Sequence, residues 1–409
     1  MSMPPERRAA AADGAPLPTG APPYEIVLFG ATGFTGGLTA DYLAGHAPRD
    51  LRWAIAGRSR ERLEAIADRL HRAHPDRPRV DVLTADVDDP DSMSELVTSA
   101  SLVASTVGPF AQHGPALVAA CAESGTDYVD ITGEPEFVDS MWLQHHDRAV
   151  QSGARLVHAC GFDSIPHDLG VLFTLDHLPT DTPISVEGFV RVNASMSGGT
   201  YHSAVHAFGR ARQTAALARA RRAREPRPED RRVRALPARP RRAPRSDRWA
   251  LPLPTIDPVV VRRSARALDA YGPDFSYGHY LDVGGLPRTV ATATGAGAVM
   301  ALAQLPITHD VLLRLKSPGE GPDKAARASS WFRVRFAATA GSTTVLTEVS
   351  GGDPGYTETA KMLAESALCM ARDDLPTTSG QVTTAQAMGA TLIARLQAAG
   401  LTFRRLLEA

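Results

Sequence analysis

Residues 24–36 read YEIVLFGATGFTG. The apolar run Tyr24–Phe29 passes directly into Gly30-Ala31-Thr32-Gly33-Phe34-Thr35-Gly36, after which Leu38, Tyr42 and Leu43 fall at helical spacing. A short apolar run followed at once by glycines has the form of a buried parallel strand feeding a tight turn. The glycine spacing is GxxGxxG, a departure from GxGxxG. Glycines let the backbone turn sharply and approach a pyrophosphate, whose charge is then met by free N–H groups and the positive end of the helix. Gly30, Thr32, Gly33, Phe34, Thr35 and Gly36 are therefore the expected dinucleotide cradle.

Strand and helix patterns then alternate. Leu51–Ala56 reads as a second strand, followed by a helix that Ser59 can cap and whose Leu63, Ile66, Ala67 and Leu70 share one face. Val80–Thr84, Leu102–Val107, Tyr128–Ile131 and Arg155–Ala159 read as further strands, separated by helical stretches such as Pro115–Glu123 and Glu136–Val150. The alternation predicts an α/β fold, a doubly wound parallel sheet of Rossmann type over residues 24–165. Beyond it the period changes to two in Ile184–Val192, Trp331–Ala337 and Thr343–Val349, with Ala340-Gly341-Ser342 near a hairpin turn. These strands predict a second, α+β domain over residues 166–355, built on a mainly antiparallel sheet. Thr357–Ala371 and Thr384–Ala399 read as helices, and residues 356–409 are expected to return to the first domain.

At 409 residues, with 43% hydrophobic and 22% charged residues, the chain has the composition of an ordinary globular protein of two domains. That composition excludes a wholly disordered, collagenous or disulfide-scaffold chain. Cys121, Cys160 and Cys369 are odd in number and lack CxxC spacing, the pattern of reduced thiols in a cytoplasmic setting. Residues 1–23 are rich in Ala, Pro and Gly, lack the apolar run of a secretory signal, and predict a disordered leader. Val290–Ile307 is the one candidate for membrane contact. Its 18 residues are small and weakly hydrophobic, which favours a packed internal helix or the wall of a lipid-binding channel over a span.

The formal net charge of −1 conceals an uneven distribution. Residues 210–248 hold 15 arginines and no lysine against Glu225, Glu229, Asp230 and Asp247, a local excess of +11. Pro226, Pro228, Pro237, Pro240 and Pro244 predict that much of this segment is an exposed loop after a basic helix. No aromatic platform or nucleic-acid motif accompanies it, so it points away from nucleic acid and toward an acidic carrier protein or an anionic membrane surface.

The second strand ends in Ala56-Gly57-Arg58-Ser59-Arg60, where an NAD site would present Asp or Glu to the ribose 2′-hydroxyl. Arg58 can instead pair with a 2′-phosphate, so NADP(H) is the expected cofactor. Asp86, just past the third strand, could meet the adenine edge. The fourth strand runs into Val107, Gly108, Pro109 and Phe110, suited to a wall beside the nicotinamide. Asp163 and Tyr128, at other strand ends, are the candidate proton donors. Ser164, His167 and Asp168 read either as further acid–base groups or, for Ser164 and Asp168, as helix caps. His202 and His206 have the i, i+4 spacing of a metal pair, but no third ligand completes a set. The adjacent His145 and His146 cannot share a site on a helix, so no metal is expected.

The sequences GATGFTG (30–36), AGRS (56–59), TVGPF (106–110), DYVDITGE (127–134), GFDSIPHDLG (161–170) and GGDPGYTETAKMLAESALCMA (351–371) together resemble the saccharopine dehydrogenase-like oxidoreductases. Within them the chain is similar to the actinobacterial trans-acting enoyl reductases. The resemblance implies an NADPH-binding Rossmann domain, an α+β domain, and reduction of a double bond in polyketide-derived lipid intermediates such as glycolipid precursors. An apolar acyl or polyketide-derived substrate of this kind is expected to be carried by another protein or presented at a membrane. The Asp163 position carries over from the segment after the sixth strand of saccharopine reductases. The basic cluster that would clamp a glutarate-like diacid is not evident, which sets an imine or amino-acid dehydrogenase second. A non-catalytic NADPH-binding scaffold is the third reading. A homodimer and a peripheral place at the plasma membrane are compatible with all three.

Overall fold

The structure is a computed structural model, and it describes residues 21–194, 210–244, 246–287, 289, 292, 294 and 322–407. The expectations for most of the leader, for His202 and His206, and for all but two residues of Val290–Ile307 lie outside the described residues. Among the described residues, no helix is long and apolar enough to cross a membrane.

The first half alternates β1 (Tyr24–Phe29), α1 (Phe34–His46), β2 (Trp53–Gly57), α2 (Arg60–Ala73), β3 (Asp81–Thr84), α3 (Pro90–Thr98) and β4 (Ala100–Ser105). It continues with α4 (Phe110–His113), α5 (Pro115–Ser124), β5 (Asp127–Asp130), α6 (Pro135–Ser152), β6 (Arg155–Val157) and α7 (Ile165–Leu175). Next come β7 (Ile184–Asn193), α8 (Ala211–Arg224), β8 (Arg232–Ala235), β9 (Arg241–Arg242), β10 (Trp249–Pro252), α9 (Asp257–Ala267) and β11 (Asp274–Gly284). The chain ends through α10 (Lys324–Ser329), β12 (Trp331–Ala340), β13 (Thr343–Gly351), α11 (Thr357–Arg372), β14 (Gly380–Val382), α12 (Thr384–Ala387), α13 (Gly389–Ala398) and β15 (Thr402–Leu406).

The first sheet is parallel throughout, in the order β14-β6-β5-β4-β1-β2-β3. In β1, Ile26 and Leu28 enter one core cluster while Val27 and Phe29 enter the other, so both faces of the central strand are covered. That is why the strand reads as a continuous apolar run. Strand order reverses between β1 and β4, and in such sheets the crevice above the carboxyl ends at that point receives the ligand.

The second sheet runs β15-β13-β12-β7-β11-β10-β9, with β8 added beside β11. Most pairs are antiparallel, but β11 lies parallel to both β7 and β8. Strand β11 has no clear period of two in its sequence, because Tyr277, Gly278, His279 and Tyr280 are all buried and both of its faces are covered. The helix expected over Thr384–Ala399 is broken into α12 and α13 at Met388, whose φ of −129° leaves helical geometry. Just before it, Gly380–Val382 adds the seventh strand beside β6.

The basic segment departs most from expectation. It is not largely an exposed loop, because after α8 it supplies two strands to the second sheet and its arginines find acids elsewhere in the chain. Arg221 meets Asp139 at 3.3 Å, Arg234 meets Asp274 at 2.6 Å and Arg248 meets Asp282 at 2.7 Å. Arg231 and Arg241 pair with Asp269 and Glu187. Pro226 and Pro228 lie between α8 and β8, and Pro237, Pro240 and Pro244 lie between β8, β9 and β10, at positions where no ladder hydrogen bond is needed.

Helix α11 packs on α1, β4, β1 and β5 of the first sheet, whereas α7 packs on β12, β13 and β15 of the second. Both helices are buried over most of their length and belong to a single core cluster that runs from Ile26 to Phe336. The polar groups of α11 are satisfied within this layer: Glu365 accepts from Tyr42 at 2.7 Å and from Arg395 at 2.9 Å. Because one core serves both sheets, Leu363→Ala at the fully buried centre of α11 is expected to cost about 2–5 kcal/mol. Denaturant unfolding followed by fluorescence and circular dichroism should show both sheets lost in one shifted transition.

Candidate active site

The GxxGxxG loop turns at Gly30, whose φ is +96°, and enters α1 through Gly33, which caps the helix without a side-chain bond. The first turn of α1 carries no acid, so its leading amides and positive helix end face no internal anion. A methyl group at Gly36 would stand 2.1 Å from the Gly30 carbonyl oxygen, so no other residue lets helix and loop come so close. From β4, Thr106 donates to the same carbonyl at 3.1 Å and braces the turn. Thr32 and Gly33 are exposed, and Phe34 packs edge-on against Tyr356 at 4.8 Å.

Arg58 follows β2 and is exposed, and among the described residues it forms no ion pair, whereas Arg60 is engaged by Glu64 at 3.2 Å. An unpaired guanidinium at the end of the second strand, with no carboxylate beside it, is the group that a ribose 2′-phosphate needs. Asp86 also lies where expected, past β3, but its carboxylate accepts from the Asp88 amide at 3.2 Å and shapes that turn. Val107, Gly108 and Pro109 keep surface at the crevice. Phe110 does not: its ring is 6% exposed and packs toward Phe137 in the core. Its contribution is its amide, which with that of Ala111 donates to the buried Glu134 carboxylate at 3.0 and 2.9 Å. Burial nonetheless raises the Glu134 pKa.

Asp130, fully buried, ties the ends of β5 and β6 together. Its carboxylate accepts from the amides of Thr132 and Ala159 at 3.0 and 2.9 Å and lies 2.7 Å from His158 Nδ1. Tyr128, two residues earlier, has no place in the crevice. It is fully buried in the second core cluster, its ring 5.6 Å from that of His158, and burial drives its pKa well above the usual phenol value. A proton donor must reach its acceptor, so the proposed catalytic role for Tyr128 is corrected to a packing role.

Asp163 is placed differently. It keeps partial surface at the turn between β6 and α7, and a methyl on Gly133 would stand 2.8 Å from its Oδ2. Burial of the carboxyl, helped by the charge of Asp257 and opposed by His167, lifts its pKa to about 7. A carboxylic acid with that affinity can hold a proton at neutral pH and give it up. Asp168 is structural: it accepts from Ser264 at 2.6 Å and Thr384 at 2.7 Å, joining α7 to α9 and α12. Ser164 makes no capping bond to α7. Asp130, Glu134, His158, Asp257 and His279 were not singled out from sequence. Only the DYVDITGE run carried a signal for the first two, as polar residues packed onto a strand end.

An open glycine cradle, an unpaired arginine at the ribose position and a protonatable acid at the crevice define an NADP-dependent oxidoreductase. Comparison with known proteins agrees. Residues 26–157 match the family model described as the saccharopine dehydrogenase NADP binding domain. A Mycobacterium tuberculosis protein to which trans-acting enoyl reduction is provisionally ascribed is 37% identical over 93% of this chain and 97% of its own. The trans-acting enoyl reductase of Mycobacterium ulcerans is 34% identical over 92% of this chain and 96% of its own. The saccharopine dehydrogenase-like oxidoreductase of Rattus norvegicus is 30% identical over 93% of this chain and 97% of its own. Among solved structures, the saccharopine dehydrogenase (L-Glu forming) of Saccharomyces cerevisiae shares the fold, with a TM-score of 0.55 and 12% identity over 94% of this chain and all of that one. The chain belongs to the saccharopine dehydrogenase-like oxidoreductases.

Removing the guanidinium tests the cofactor assignment directly. Arg58→Ala should weaken NADPH about ten- to hundredfold, as expected for one charge-assisted hydrogen bond, and leave NADH affinity unchanged. Fluorescence titration with both nucleotides would reveal the split.

Proposed function

We propose that the protein reduces the carbon–carbon double bond of an enoyl thioester on an apolar, carrier-bound acyl chain. The observation that carries this reading is the surroundings of Asp163. Its carboxyl is buried, and Asp257 and His167 flank it. The adjoining turn is apolar, with Phe162 edge-on to Phe332 at 5.0 Å. A diacid or amino-acid substrate would need guanidinium partners there. Relatives named for trans-acting enoyl reduction support the same choice over the imine or amino-acid dehydrogenase.

The glycine cradle and Arg58 would hold NADPH, which when bound would supply a hydride for the β-carbon. Asp163 supplies the proton to the α-carbon, so hydride and proton add across the double bond and the carboxylate is reprotonated from solvent. The loop 106–109 and the glycine cradle hold the cofactor in place, and orientation provides much of the rate. Asp163→Asn should leave NADPH affinity within about twofold and lower turnover about 10²–10⁴-fold. Stoichiometric NADPH oxidation with enoyl thioesters would support the assignment. Absence of turnover across acyl classes despite tight NADPH binding, or turnover of lysine-derived imines instead, would refute it.

The carrier is an acidic protein that meets the basic segment. Arg222, Arg227, Arg231, Arg232, Arg234 and Arg266 line a groove of about 380 Å³ in which Glu225 is the single acid. Raising the salt concentration is expected to increase KM for the carrier-bound substrate and to spare the free thioester, because only the former docks through screened charges. Salt dependence in the free thioester as well would remove the docking role.

A further inference from the structure

His167 on α7, Asp257 at the start of α9 and His279 on β11 converge deep in the second domain. One ligand-type atom from each lies within 4.8 Å of the others, and the three residues are 1%, 2% and 6% exposed. The cluster draws on three separate segments around residues 167, 257 and 279, so no short spacing in the sequence marks it. Its polar atoms are poorly served by the protein. His167 Nδ1 and Nε2, Asp257 Oδ1 and His279 Nε2 have no hydrogen-bond partner among the described residues. His167 Nδ1 approaches Asp257 Oδ1 to 2.8 Å, but without the alignment that a ring N–H needs to donate. His279 Nε2 stands 3.6 Å from Asp257 Oδ2.

The remaining contacts are those of supporting groups. Tyr277 OH meets His279 Nδ1 at 3.1 Å, which orients the ring with Nε2 toward the carboxylate. The Thr255 hydroxyl donates to Asp257 Oδ2. Buried polar atoms are rarely left unpaired, and a group of them that point at one another is the setting of a shared proton, an ordered water or a cation. Two imidazole nitrogens and one carboxylate oxygen make a donor set of borderline softness, matched to zinc-class divalent ions and poorly matched to Mg²⁺ or Ca²⁺.

We propose that His167, Asp257 and His279 form a binding site for a divalent transition-metal ion of the zinc class. The ion would join α7, α9 and β11, and a tetrahedral ion would keep a fourth position for water. Outer partners of this kind are characteristic of metal-bound histidine, and Tyr277 is one. Because Asp257 and His167 also flank Asp163, metal uptake rather than turnover is the readout that separates this site from the reductase assignment.

The test uses the untagged full chain, stripped with chelator and titrated anaerobically with Co²⁺. The expected result is uptake of one equivalent with visible d–d bands, reversed by one equivalent of Zn²⁺. His279→Ala and Asp257→Asn, checked for folding by circular dichroism, should weaken Co²⁺ binding by at least about tenfold and abolish the bands. Tyr277→Phe keeps all three ligands and the fold, and should weaken binding about tenfold through the lost ring support. The proposal is overturned if the stripped wild-type chain develops no d–d bands, or if the wild type and Tyr277→Phe titrate identically.

Discussion

Two buried helices, α11 on the first sheet and α7 on the second, joined by α13, which packs on both, are the constraint on which the rest depends. Neither sheet closes its core alone, since one cluster holds both Ile26 of the first sheet and Phe336 of the second. An apolar helix surface of this breadth must be covered on all sides, and here the cover comes from two sheets distant in sequence. Thr359 of α11 accepts from the Phe162 amide at 3.1 Å, so the C-terminal helix directly positions the turn that carries Asp163. Arg155 does the same further out, donating to the Met370 carbonyl at 3.1 Å while paired with Asp127.

Charge follows a similar logic. The near-neutral chain is an acidic body with a basic insert, and the two neutralise each other internally as well as in the sum. Acids from β7, α6 and β11 meet arginines of the insert, and Arg221 is buried against Asp139 and under the ring of Trp142 at 4.8 Å. Burial and the neighbouring Arg263 lower the Arg221 pKa to about 10, a measure of how closely the arginines are gathered. Paired arginines such as Arg231 and Arg234 line one groove together with Arg222, Arg227 and Arg232, which is why a basic segment that is largely consumed in folding still presents a cationic surface.

Much of the fold was legible because its signals are local. The run at Tyr24–Phe29, the glycines after it and the Arg58 position each report a constraint that acts within a few residues: a strand buried on both faces, a turn without side chains, a strand end without a carboxylate. Strand β11 was missed because a strand covered on both faces by mixed polar and aromatic groups has no period. The break at Met388 was missed because helix pattern alone does not register where α13 must turn to pack on α7. Tyr128 was misassigned because a strand end reads the same whether its side chain faces the crevice or the core.

The sequence by itself determined the dinucleotide-binding sheet, its cofactor and its family, since backbone approach and phosphate charge demand particular residues at fixed spacing. Only the tertiary structure decided which acid reaches the crevice, where the arginines go and which histidines meet. Those outcomes depend on contacts made by α7, α9, β11 and α11: burial raises the proton affinity of Asp163, and His167 and His279 reach Asp257, only after such distant segments have packed.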